Sequence, residues 1–211
     1  YNPDGTESKM CSDGLRCVAV YLNKKVKKVK FEIETKAGII PVLIDKDVII
    51  NMGKINITPK KIPVITDKNI FINEDIYVDG ERFKTTCLSV ENPHAGSFVD
   101  NVDNINLKEI GPYFEMHYLF PERVNVNFVQ IINEDAIKIK TWERGVGEVL
   151  SCGSGACASV GAAILSHKLD QNKIIEVTSK GGMQKVKCLK NEEMILKGKA
   201  NFIYKGKTYI K

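Results

Sequence analysis

The sequence carries one short segment twice. Glu7-x-x-x-Cys11-x-x-Gly14 recurs as Glu148-x-x-x-Cys152-x-x-Gly155, and each copy sits at a turn that opens a helix. An Asn-Pro pair lies upstream of each, Asn2-Pro3 and Asn92-Pro93. Such a repeat constrains the chain to two similar halves related by a pseudo-twofold axis. The two cysteines then face each other across the cleft between the halves.

The hydrophobic period fits this arrangement. Leu15, Val18, Ala19 and Leu22 fall on one face of a short helix. From Lys24 to Met52 the period becomes two, with runs at Ile39–Ile44 and Val48–Met52, as in an antiparallel meander. Residues 53 to 69 hold Gly53, Pro59 and Pro63 and read as a crossover. Strands are expected over Ile70–Val78, Phe83–Val90 and Val126–Ile132, and around Ile137, Ile139 and Thr141. A second helix starts near Gly153. Its residues are small and apolar all round, so it should be buried inside sheet. The tail returns to strands at Ile174–Thr178, Val186–Leu189, Met194–Leu196 and Asn201–Tyr204. The fold class is therefore α+β.

Composition removes several other functions. No apolar run approaches a membrane span. The net charge of +5 is modest and spread along the chain. Its densest stretch, Lys24, Lys25, Lys27, Lys28 and Lys30, has no interleaved aromatics and reads as a solvated edge strand and turn, not a nucleic-acid site. The six cysteines form no C-x-x-C pair, and no His stands at zinc-like spacing from them. No metal is expected, and free thiols are. Arginine occurs only at Arg16, Arg82, Arg123 and Arg144, so each should have a fork-shaped partner.

Two thiols at helix N-termini suit one kind of chemistry. Unpaired N–H groups and the helix dipole favour a thiolate there. The same N–H groups bind a carboxylate. An α-amino acid held between two such turns exposes its α-carbon to a sulfur on each face. One sulfur removes the α-proton and the other returns a proton from the opposite side. No lysine lies in either cysteine motif, so nothing points to a pyridoxal Schiff base. His94 beside Asn92-Pro93, and Glu143-Arg144 just before the second motif, are further site candidates. Cys17, Cys87, Cys157 and Cys188 read as packed small residues, and His117 and His167 as structural.

The motifs resemble those of the diaminopimelate epimerase family. Tyr1-Asn2-Pro3-Asp4-Gly5-Thr6-Glu7, with Cys11 and Gly14-Leu15-Arg16-Cys17, resembles its first active-site motif. The run from Trp142 through Cys152-Gly153-Ser154-Gly155-Ala156-Cys157 resembles its second. Glu91-Asn92-Pro93-His94-Ala95 and Phe120-Pro121-Glu122-Arg123-Val124-Asn125 are similar to two further segments. The resemblance implies two pseudo-symmetric lobes, each a curved, mostly antiparallel sheet wrapped around a central helix. It divides the chain into residues 1–53 with 201–211, carrying Cys11, and residues 54–200, carrying Cys152. It implies a cofactor-independent isomerase that interconverts LL- and meso-diaminopimelate on the route to lysine and peptidoglycan, as a cytoplasmic homodimer. Cys11 and Cys152 then correspond to the acid and base thiols, assisted by His94 and Glu143. Asn2, Ser12, Asp13, Asn92, Asn125, Arg144, Gly153 and Ser154 correspond to substrate-binding positions, with Arg144 on the distal carboxylate. Another two-thiol racemase, such as a proline racemase-like enzyme, is the nearest alternative, and an inactive truncated binding module is the other. The family's first motif usually reads Cys-Gly-Asn-Gly, where this chain has Cys11-Ser12-Asp13-Gly14. Asp13 is expected to set a like charge beside the substrate carboxylate. The family's segment before the first motif is expected to be missing here.

Overall fold

The computed structural model describes residues 10–207 and 209. Helix α1 spans Ser12–Val26, followed by strands β1 (Lys30–Thr35), β2 (Gly38–Ile44) and β3 (Val48–Lys54). A crossover with one 3-10 turn, Pro59–Lys61, leads to β4 (Glu74–Val78), β5 (Glu81–Val90) and β6 (Asn92–Phe98). Helix α2 (Leu107–Glu115) precedes β7 (Asn125–Asn133), β8 (Ala136–Glu143) and the short β9 (Gly147–Val149). Helix α3 (Gly153–Leu165) leads to β10 (Ile174–Ser179), β11 (Gly182–Cys188) and β12 (Glu193–Gly198).

The strands form one sheet in the order β1-β2-β3-β12-β11-β10-β8-β7-β6-β5-β4, with β9 paired to β8. Pairing is antiparallel except between β10 and β8 and between β6 and β7. Helix α3 touches both β11 and β5, which lie five places apart in that order. A flat sheet would separate them by about 24 Å, so the sheet must curve around the helix. Small side chains permit this. A methyl at Gly96 on β6 would come within 2.9 Å of the Ala162 Cβ on α3. Helix α1 rests in turn on β2 and β3. The fold is α+β, as expected. β12 pairs with β3 on one side and β11 on the other, which joins the α1 strands to those around α3.

Several local expectations differ from the structure. Lys24 and Lys25 belong to the last turn of α1 and Lys27 is its left-handed C-cap, so the first part of the lysine run closes a helix, while Lys28 lies in the turn and Lys30 opens the edge strand β1 as expected. Residues 201–204 are not a strand; Ile203 and Tyr204 are exposed, and among the described residues no strand pairs with them. The strand expected from Ile70 begins at Glu74. Helix α2 was hidden by Gly111 and Pro112, both poor helix signals, while β6 was hidden by a Pro, a His and a Gly within seven residues. Cys17 is exposed, whereas Cys87, Cys157 and Cys188 are buried as expected.

Three of the four arginines meet a carboxylate, as their scarcity suggested, and Arg144 does not. Arg82 pairs with Asp75 and Arg123 with Glu115, while Arg144 donates to a backbone carbonyl and Arg16 meets Asp13.

Candidate active site

The two cysteine turns have nearly the same backbone. Cys11 caps α1 at φ −137°, ψ 109°, and Cys152 caps α3 at φ −145°, ψ 115°. In each the sulfur accepts from the N–H three residues on, Gly14 at 3.4 Å and Gly155 at 3.3 Å. The N–H groups of Ser12 and Asp13, and of Gly153 and Ser154, precede the first intrahelical bonds, the position at which a helix N-terminus binds an anion. The turns also meet. Ser12 lies so close to Gly153 that a methyl there would sit on its Oγ and 2.9 Å from its Cβ. Asn2 and Glu7 of the first motif lie outside the described residues.

The two sulfurs differ in setting. Cys11 is exposed and Cys152 buried. Burial raises the Cys152 pKa far above the ordinary thiol value, and the nearby Glu143 carboxylate raises it further. Hydrogen bonds from Ser154 and the Gly155 N–H oppose this without overcoming it. The helix terminus alone suggested a lowered pKa, but burial and a neighbouring carboxylate outweigh it. Cys152 is therefore held as a thiol near a carboxylate, ready to donate a proton.

Strand register gathers the remaining candidates. His94 on β6 stands opposite Asn125 on β7, and Val126 opposite Trp142 on β8, so Asn92, Asn125 and Glu143-Arg144 lie at one end of three neighbouring strands. The buried Asn125 donates to the Pro93 carbonyl at 2.8 Å and accepts from the Arg144 N–H at 3.0 Å. Arg144 is half-buried, with one guanidinium N–H donating to the Glu122 carbonyl at 3.0 Å. The turn after β8 is held from α2: buried Glu115 accepts from Trp142 Nε1 at 2.7 Å and from the Gly145 N–H at 3.0 Å. Gly111 leaves room for the Trp142 ring, since a methyl there would stand 2.5 Å from it.

His94 is fully buried within a polar chain that sequence alone did not reveal. Thr141 donates to the Asn127 carbonyl oxygen at 3.0 Å, and the Asn127 amide lies 3.0 Å from His94 Nδ1. An amide N–H can only donate, so Nδ1 accepts and Nε2 carries the proton, donating to Asn92 Oδ1 at 2.8 Å. Burial, with the nearby Arg144 charge adding to it, pushes the His94 pKa down to about 3. Asn127 and Thr141 had only one sequence signal, a polar residue at an inward strand position, and Glu115 had none, since α2 itself was hidden.

A stability consequence follows from His94. The unfolded imidazole takes up a proton near pH 6.5, the folded one only near 3. Its contribution is complete above pH 6.5 and is lost as pH falls toward 3. By pH 5 the loss should be about 2 kcal/mol. Urea midpoints at pH 7 and 5 should show it, and His94→Gln should flatten that dependence.

Among the described residues, no three His, Cys, Asp or Glu side chains converge to hold a metal ion, and no helix is long and apolar enough to cross a membrane.

Comparison with known proteins gives one result. Residues 86–203 match the family model described as diaminopimelate epimerase. Proteins named diaminopimelate epimerase from Bacillus cereus and Bacillus cytotoxicus are each 41% identical over 215 residues, covering 98% of this chain and 75% of their own length. Among solved structures, a hydroxyproline epimerase from Agrobacterium vitis with bound trans-4-hydroxy-L-proline superposes with a TM-score of 0.67 at 13% identity, over 94% of this chain and 65% of that one. A PhzF-family phenazine biosynthesis protein from Bacillus anthracis gives 0.61 at 14%, over 92% of this chain and 74% of that one. At these identities the structural likeness speaks to the fold.

Proposed function

The chain belongs to the diaminopimelate epimerase family, and from that premise we propose that it interconverts LL- and meso-2,6-diaminopimelate through the sulfurs of Cys11 and Cys152. The supporting observation is the pair of matching cysteine caps whose turns touch at Ser12 and Gly153. The reacting carboxylate lies on the N–H groups of Ser12, Asp13, Gly153 and Ser154, which stabilise charge as the α-carbon loses its proton. In one direction Cys11 as thiolate takes the α-proton, and the Cys152 thiol donates to the opposite face. Cys11 ends protonated and Cys152 ends as thiolate. The reverse reaction uses the products of the first, and exchange with water through Glu143 resets the pair. Asn92 and Asn125 orient the substrate. His94 stays neutral and holds Asn92 through its Nε2–H. No cofactor has a part.

Arg144 receives the distal carboxylate. A bidentate charged pair is worth roughly 1.5–3 kcal/mol. Arg144→Lys should therefore raise KM for diaminopimelate about 10–100-fold and change kcat less. The assay is conversion of the LL to the meso isomer, run beside proline. Turnover of proline in place of diaminopimelate would favour the other two-thiol racemases, and turnover of neither would favour an inactive binding module.

The reading extends, on family likeness, to residues 1–53 with 201–211 and residues 54–200 as lobes each supplying one sulfur. On the same ground the working form is a homodimer in the cytoplasm.

A further inference from the structure

Arg16 is a cation buried one turn into α1, with 7% of its surface exposed and its Nε without a partner among the described residues. Burying a guanidinium is costly, and an apolar residue of similar size often serves stability as well or better. Its contacts run between the two cysteine turns. Nη2 lies 3.0 Å from Asp13 Oδ1, in the first turn of α1. On β11, the Gln184 amide turned with its oxygen toward Arg16 accepts from Nη1 at 2.8 Å and Nη2 at 3.1 Å. The same amide lies 3.3 Å from the hydroxyl of Ser151, the residue before Cys152. The guanidinium lies flat on Gly198 of β12, where a methyl would come within 3.0 Å of it.

Asp13 stands where the incoming carboxylate needs N–H groups and positive potential. An unopposed anion there repels the substrate. We infer that Arg16 is a positioning residue that acts through Asp13, cancelling its charge beside the substrate carboxylate. This rests on the function proposed above. It also explains how the chain tolerates an acid in its first cysteine motif, since the acid and its counter-charge lie one turn apart on the same helix.

Charge cancellation has a signature that a packing role lacks. Arg16→Gln should raise KM about tenfold with a smaller change in kcat. Adding Asp13→Asn to it should bring KM back to within about threefold of the parent, although the melting temperature stays lowered. Asp13→Asn alone should lower KM, because it leaves the Arg16 charge free to attract the carboxylate. The four proteins are compared by steady-state epimerisation of diaminopimelate and by thermal melting. An unchanged KM in Arg16→Gln, or a double variant no better than Arg16→Gln, overturns the inference. If Arg16→Gln fails to fold, Asp13→Asn alone decides: a lowered KM supports the inference, and an unchanged or raised KM overturns it. A parent chain that does not turn over diaminopimelate overturns the functional reading itself, and this inference with it.

Discussion

Replacing Cys152 or Cys11 by Ser should lower the epimerisation rate by at least about a thousandfold and leave the fold intact. General acid–base groups commonly contribute 10²–10⁴ in rate. Here each sulfur is the proton carrier for one face of the α-carbon, so neither can stand in for the other. A hydroxyl is far too weak an acid to become the base. It is, however, among the preferred N-cap groups and accepts from the same N–H. The Ser variants therefore separate capping from catalysis. Alanine variants lose both and should also lose up to about 1 kcal/mol of stability. Melting temperature and initial rate, measured together, check both halves.

Gly153→Ala should destabilise the protein by about 2–3 kcal/mol and cost roughly a hundredfold in activity. Propensity alone predicts the opposite sign, since Ala in a helix is favoured over Gly by about 1 kcal/mol. Sterics decide it. The added methyl would fall on the Ser12 hydroxyl, 2.9 Å from the Ser12 Cβ and 2.8 Å from Leu196 Cδ2. The Ser12 Cβ and Leu196 cannot both retreat without moving α1 or β12. Separating the helix ends moves Cys11 away from Cys152, and misplacement by about 1 Å can cost a hundredfold. Ser12→Gly in the Gly153→Ala background removes half of the clash and should restore part of both losses. Urea unfolding and initial rates measure this, and a neutral Gly153→Ala would mean that the turns do not meet.

Much of this was legible in the sequence because the repeat and the period changes are local signals. Two Cys–Gly turns announced two helix N-termini, and the all-small run after Cys152 announced a helix buried in sheet. Other features depend on pairings between distant segments. The Asn127–His94–Asn92 chain exists because β6 and β7 run parallel in one register, which no local pattern states. Glu115 reads as a surface acid until α2 lays it against Trp142 and Gly145. Asp13 looked like an unopposed charge because its partner's burial depends on Gln184 and Gly198, far along the chain. The high pKa of Cys152 likewise comes from burial and from Glu143, while sequence showed only the cap.

The two-sulfur account is tested most directly by following deuterium from solvent at low conversion. LL-diaminopimelate is incubated with the enzyme in D2O, and the recovered substrate and the meso product are analysed separately by mass. The thiol that protonates the second face carries a solvent-derived deuteron, while the proton removed from the first face stays on the opposite sulfur. The product should carry one deuterium at the inverted centre, and recovered substrate should remain unlabelled. Substrate that gains deuterium as fast as product, or product that keeps its original α-proton, would contradict an α-carbon held between two separate sulfurs.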